Sequence, residues 1–232
     1  MSANPDFIYQ PPMSPYLDVI FHDDDILVLN KSSGLLSVPG RLPEHQDCLQ
    51  HRVQRVFPSA TIVHRLDMAT SGIIIMALNK PAHVAISRQF EQRKTKKSYV
   101  ARVFGHIKEV QGSVDLPLIC DWPNRPKQKV DHDNGKPSLT HYQVLDHSDY
   151  GKQSALSACE STLVELTPIT GRSHQLRVHM LALGHPILGD RLYAQGQALT
   201  ASERLQLHAK TLSLAHPVTN KWLSFDSPCP FD

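Results

Sequence analysis

The chain has 232 residues, 41% of them hydrophobic and 20% charged, with a formal net charge of +2. That composition is globular rather than disordered or fibrous, and a chain of this length buries roughly 70–75% of its unfolded surface. A charge so near zero does not announce a nucleic-acid binder, so the distribution of charge matters more than its sum.

Residues 1–14 lack the apolar stretch of a secretion signal, and no apolar run approaches membrane-spanning length. Cys48, Cys120, Cys159 and Cys229 form no CxxC pair. Free thiols in a reducing, cytoplasmic setting are therefore expected, with no membrane and no metal.

In chain order, 1–14 (MSANPDFIYQPPMS) reads as a flexible, Pro-rich tail. Two β-rich runs follow, YLDVIF from Tyr16 and DILVLN from Asp25, joined by the acidic turn HDDD. Residues 47–57 have helical spacing, with Leu49, Val53 and Val56 on one face, Asp47 as N-cap and Pro58 as the stop. GIIIMAL at 72–78 predicts a strand buried on both faces. A helix follows over 81–92, with Pro81 in its first turn.

KKSYVARVFG predicts a strand carrying Tyr99, and 111–120, 138–146 and 158–166 have strand character. Residues 121–137 are expected as a long polar loop. Leu176, Met180 and Leu183 set a helical face within 167–184, ended at Gly184. A helix at 201–208 and strands at 209–215 and 221–225 close the chain. Many strands, few helices and no regular βαβα alternation predict an α+β fold with a mixed, mostly antiparallel sheet. One catalytic domain is expected over 15–232.

Three constellations carry candidate chemistry. The first is HRLDMATSG at 64–72, where Arg65 and Asp67 project to one side of an extended chain ahead of a buried strand. An Arg beside an Asp favours the charged carboxylate, but Asp, Thr, Ser and Gly also cluster in ordinary turns. The second is TPITGRSHQLRVHM at 167–180, where Arg172 and free backbone N–H groups precede a helix and suit an anion. A capped surface helix explains the same pattern. His174, His179 and His185 lack the three- or four-residue spacing of metal ligands on one helix face.

The third is basic: Arg88, Arg93, Lys94, Lys96, Lys97 and Arg102 bracket Tyr99, and Trp122 stands beside Arg125, Lys127 and Lys129. Cations around an aromatic suit RNA phosphates and a stacked base, although a solvated face explains most such runs.

Together these segments resemble the RluA-type family of pseudouridine synthases. The resemblance rests on NKSSGLLSVPG (30–40), HRLDMATSG (64–72), FEQRKTKKSYVARVFG (90–105), ITGRSHQLRVHMLALGHPILGDRLY (169–193) and LHAKTLSLAHP (207–217). It implies an isomerase that converts uridine to pseudouridine in RNA by base flipping, without a cofactor. It implies further that the substrates are a stem-loop of 23S ribosomal RNA and the anticodon stem-loop of some tRNAs. By the same resemblance Asp67 is the essential aspartate, Tyr99 packs on the target base, and Arg172 pairs with the aspartate. Arg65 takes the vacated place of the base, Leu176 walls the pocket, and His64 joins the substrate contacts.

No S4 RNA-binding domain is expected, and the protein is expected as a monomer. The chain departs from the family at a serine in NKSSG, where Pro is common, and in a longer stretch at 147–159, expected as a surface loop. Two other readings stay open. A glycosidase or nucleoside hydrolase also cuts a glycosidic bond but normally uses two carboxylates, for which the motifs offer Asp67 and, at some remove, Asp190. A non-catalytic RNA-binding protein needs only the basic face.

Overall fold

The computed structural model describes residues 8–150 and 159–231. In chain order the elements are β1 (Val19–His22), β2 (Ile26–Lys31), α1 (Leu49–Gln54), β3 (Thr61–Ile62), β4 (Ser71–Ala77) and α2 (Lys80–Glu91). Then come β5 (Lys96–Phe104), β6 (Gln111–Asp115), β7 (Leu118–Cys120), β8 (Gln128–Val130), β9 (Leu139–Tyr150) and β10 (Cys159–Pro168). The chain closes with α3 (Gln175–Ala182), α4 (Gly196–Thr200), β11 (Leu207–Ala215) and β12 (Trp222–Asp226). The architecture is α+β and mostly antiparallel, as the alternation of short strands predicts.

The described residues form two compact units. One comprises Ile8–Lys97 and His208–Cys229; the other comprises Ser98–Leu207 and 230–231. In the first, β2 pairs antiparallel with both β1 and β4, and β12 pairs antiparallel with β11. The second edge of β4 is shared. β11 runs parallel to it through His208↔Ser71 and Ala209↔Gly72, and β3 pairs with its far end at Met76–Ala77. Every residue of β4 is buried, which is why its sequence is continuously apolar. Ile26, Val28, Ile73, Ile75, Leu212 and Leu214 pack with Ala82 and Ile86 of α2 into this unit's core. In the second unit β10 lies between β5 and β9, β6 borders β9, and all these pairs are antiparallel.

Several local expectations are corrected. The helix expected at 47–57 is only Leu49–Gln54, and its N-cap is Cys48, whose Sγ accepts from His51 N. Asp47 instead receives Nε and Nη2 of Arg52, both at 2.7 Å, because that fully buried guanidinium needs an anion. The expected polar loop 121–137 contains β8, which pairs with β7 as a hairpin. Its strand QKV is too short and polar to show in the sequence. The helix expected at 201–208 lies earlier, as α4. There Ala201 N closes the last helical bond to Gln197, and Ser202 Oγ then donates to Arg204 O in a turn.

The flexible tail expected at 1–14 is tied down where it is described. Tyr9 OH donates to Asp47 O at 2.7 Å and accepts from Leu36 N, and Arg52 Nη1 donates to Pro12 O. Residues 1–7 lie outside the described residues. For the stretch 147–159, β9 continues to Tyr150 and β10 begins at Cys159, while 151–158 lie outside the described residues.

Candidate active site

Asp67 sits in a turn, as its neighbours predict: Asp67 O accepts from Thr70 N at 3.1 Å. The turn is no ordinary surface reversal, because NKSSGLLS clamps its backbone. Ser37 Oγ donates to Leu66 O at 2.7 Å and accepts from Leu66 N at 3.3 Å. Lys31, fully buried, donates Nζ to the carbonyls of Ser32, Leu35 and Met68. Gly34 N also reaches Met68 O, and Ser33 Oγ donates to Ala69 O at 2.7 Å. The backbone on either side of the half-buried Asp67 is thus held by hydrogen bonds, which fixes where the side chain leaves the turn. Gly72, with φ near +111°, ends the segment; a Cβ there would lie 2.3 Å from Ala209 O, so only glycine fits where β4 meets β11.

Arg65 is exposed. His64 has a different task. Between the bonds of β4 to β11 and to β3, His64 Nε2 accepts the Ile75 N–H at 3.0 Å, and its ring stacks on Phe90 with centroids 4.5 Å apart. Burial, with the nearby Lys97 charge, pushes its pKa down to about 3. A neutral ring engaged in this way anchors the HRLD segment to β4.

Arg88, Arg93, Lys94 and Lys96 are exposed in this same unit. Lys97 is half-buried, and desolvation lowers its pKa, so it is the least suited of the set to a phosphate. Arg102 leaves the set altogether: it is buried in the second unit and donates to Ser161 Oγ and Phe231 O.

The second unit holds Tyr99, Arg172 and Leu176. Tyr99 is half-buried in β5, opposite Leu166 of β10. Arg172 is exposed, with Nε directed to Pro137 O at 3.4 Å. Its backbone is fixed by the Gln175 side chain. Gln175 Oε1 accepts from Arg172 N and Thr170 Oγ1, and its Nε2 donates to Leu139 O and Thr140 Oγ1. The bonds of one buried amide therefore set the Gly171-Arg172 corner. Leu176, on the first turn of α3, is buried.

The β7–β8 hairpin carries exposed Trp122 with the Arg125 guanidinium 4.5 Å from its ring centroid. Lys127 is half-buried, and Lys129 lies 3.8 Å from Asp131.

Asp190 is locked in the core of this second unit. Its two carboxylate oxygens receive Nη2 and Nε of Arg177 at 2.7 and 2.8 Å, and Oδ1 also accepts from Leu192 N. The histidines of this region are likewise engaged. His174 Nδ1 meets Tyr193 OH, His185 Nδ1 meets Phe104 O, and His179 lies between Thr140 Oγ1 and Leu116 O with its pKa lowered by burial. Among the described residues, Asp23, Asp25 and His216 bring possible metal-binding atoms within 4.8 Å of one another. They already bond within the protein: Asp23 takes His216 Nε2 and two backbone N–H groups, and Asp25 takes Asn79 Nδ2.

No helix among the described residues is long and apolar enough to cross a membrane. A family model described as RNA pseudouridylate synthase matches residues 25–182. The dual-specificity RNA pseudouridine synthase RluA of Escherichia coli (strain K12) is 55% identical over 96% of this chain and 98% of its own length. A protein of the same name from Vibrio vulnificus (strain CMCP6) is 54% identical over 96% of this chain and 87% of its own length. Among solved structures, human RNA Pseudouridylate Synthase Domain Containing 1 matches with a TM-score of 0.78 at 32% identity, covering 96% of this chain and 87% of that one.

Proposed function

The chain belongs to the RNA pseudouridylate synthase family, an isomerase family, and from that premise we propose that it converts uridine to pseudouridine in both 23S ribosomal RNA and the anticodon stem-loop of tRNAs. The dual specificity named for relatives 54–55% identical along nearly the whole chain supports this pair of substrates. One protein serves both if it reads the folded shape of a loop and a few exposed bases.

The reaction breaks the N1–C1′ bond, turns the uracil and joins C5 to C1′. Every atom is retained, so its balance calls for no cofactor. Asp67 is the catalytic carboxylate in this reading. It either attacks C1′ or takes the C2′ proton to give a glycal, and both routes need an ionised carboxylate fixed near the sugar. The clamped turn supports that role.

Flipping the target base out of its stack costs a few kcal/mol, and stacking on Tyr99 returns about 1–3 kcal/mol. Arg65 fills the gap, Arg172 pairs with the aspartate, and Leu176 walls the pocket. Phosphate contacts fall to Arg88, Arg93, Lys94 and Lys96, and to Arg125, Lys127 and Lys129 beside Trp122. The catalytic domain spans 15–232 and works as a monomer in the cytoplasm; the absence of a CxxC pair among its four cysteines suits such a compartment.

The state of Asp190 carries this reading over a hydrolase. A glycosidase normally uses a second carboxylate as acid or base, and Asp190 is committed to Arg177 in a buried ion pair. The test is a map of pseudouridines in ribosomal and transfer RNA from cells with and without the gene. Sites in both RNAs disappear with the gene; unchanged maps contradict the proposal.

A further inference from the structure

We propose that the exposed indole of Trp222 is a stacking platform for an unpaired base of the RNA substrate, separate from the Asp67 turn. The proposal rests on the RNA-modifying reading and extends it to a contact that none of the family-like segments contains.

Trp222 opens β12. Leu223 and Phe225 of that strand turn towards the core, so Trp222, Ser224 and Asp226 occupy the solvent face. A tryptophan 52% exposed at such a position leaves a large apolar ring in water. A cation stands at the ring: Lys96 Nζ lies 6.0 Å from its centroid.

Its backbone is rigidly placed. Trp222 pairs with Ala215 of β11, and both the N–H and the C=O of Ala215 bond to the side-chain amide of Gln89, at 2.9 and 2.8 Å. Gln89 belongs to the last turn of α2, next to exposed Arg88, and the chain then runs through exposed Arg93, Lys94 and Lys96. Lys221, also exposed, precedes the tryptophan. The acids on these elements are Glu91 and Asp226.

Cations around an aromatic face match a single-stranded nucleotide, whose base offers a π-face and whose phosphate offers the charge. The chain has two tryptophans, Trp122 and Trp222, and both are exposed with a cation at the ring. Only the first lies in a segment whose sequence advertises it. The basic run 88–97 thereby gains an aromatic partner of its own, 125 residues further along the chain than the last of those cations.

Two tryptophans make the test direct. In a Trp122→Phe protein, Trp222 is the sole indole, and its emission is followed while a stem-loop RNA with unpaired loop nucleotides is added. Quenching that saturates together with binding, read independently from the polarisation of labelled RNA, is the expected result. In the otherwise unaltered chain, Trp222→Ala weakens binding of that RNA about tenfold, and Trp222→Phe weakens it less. Unchanged indole emission at full RNA occupancy overturns the platform, as does an unaltered affinity in folded Trp222→Ala. If pseudouridine still forms in that case, the functional reading stands and the surface fits a protein partner instead. Absence of any RNA binding by the unaltered protein overturns both.

Discussion

His64 shows how much a single residue's role depends on what surrounds it. Beside Arg65 and Asp67 it reads as a substrate contact, but its Nε2 accepts a β4 N–H and its ring lies against Phe90. That arrangement requires a neutral ring. The pKa of about 3 in the folded protein lies below the ordinary 6.5, so between these values the unfolded chain takes up a proton that the folded chain does not. The sign follows: stability is full above about pH 6.5 and is lost as pH falls towards 3, by up to ~1.4 kcal/mol per pH unit for one proton. Urea unfolding at pH 6.5 and pH 5 should therefore show a loss about 1–2 kcal/mol smaller in His64→Gln than in the unaltered protein. His179, also lowered by burial, contributes equally to both proteins and cancels. Equal pH slopes would contradict the anchoring role.

Asp67 teaches the complementary lesson. Its neighbours predict a turn, and a turn is what forms. What the local sequence does not display is the set of hydrogen bonds arriving from 31–37, since contacts over about 30 residues leave no periodicity. Arg102 and Asp190 were equally opaque. A charged residue reads as exposed by default, and only the fold supplies the partner that makes its burial tolerable.

At the scale of elements, legibility followed the strength of the pattern. β4 and α2 show clearly, one as an unbroken apolar run and the other by its spacing and its early proline. β8 and α4 do not, because a three-residue polar strand and a five-residue helix carry too few residues to establish a period. The segment 30–40 belongs to this scale too. It is known from sequence only through family resemblance, yet in the fold it acts as a bracket on the Asp67 turn. Lys31 is its centre, donating to three carbonyls without exposure to water. Lys31→Met removes the donor while keeping the bulk, leaving buried carbonyls unmet, and is expected to cost about 3 kcal/mol of stability. Pseudouridine formation should fall with it even at temperatures where the variant remains folded. A Lys31→Met protein with the original urea midpoint and turnover would remove the bracket from the account.

For the whole molecule, the α+β class and the dominance of antiparallel pairs were readable from the alternation of many short strands with few helices. The division into two units was not. Two of its crossings, between Lys97 and Ser98 and between Leu207 and His208, fall inside continuous strands with no linker composition to mark them. Asp67 and Arg65 belong to one unit, Tyr99 and Arg172 to the other. Net charge says little at this scale: +2 overall conceals a run of exposed cations at 88–96.

The proposed role of Asp67, isomerisation rather than hydrolysis, is open to test on purified protein. A synthetic anticodon stem-loop is incubated with the unaltered chain and with Asp67→Asn, and pseudouridine, free uracil and RNA affinity are measured together. The unaltered protein should form pseudouridine and release no uracil. Asp67→Asn should form none while binding the RNA within about tenfold, because phosphate contacts dominate affinity. Free uracil from the unaltered protein, or pseudouridine formed by Asp67→Asn at the original rate, would contradict it.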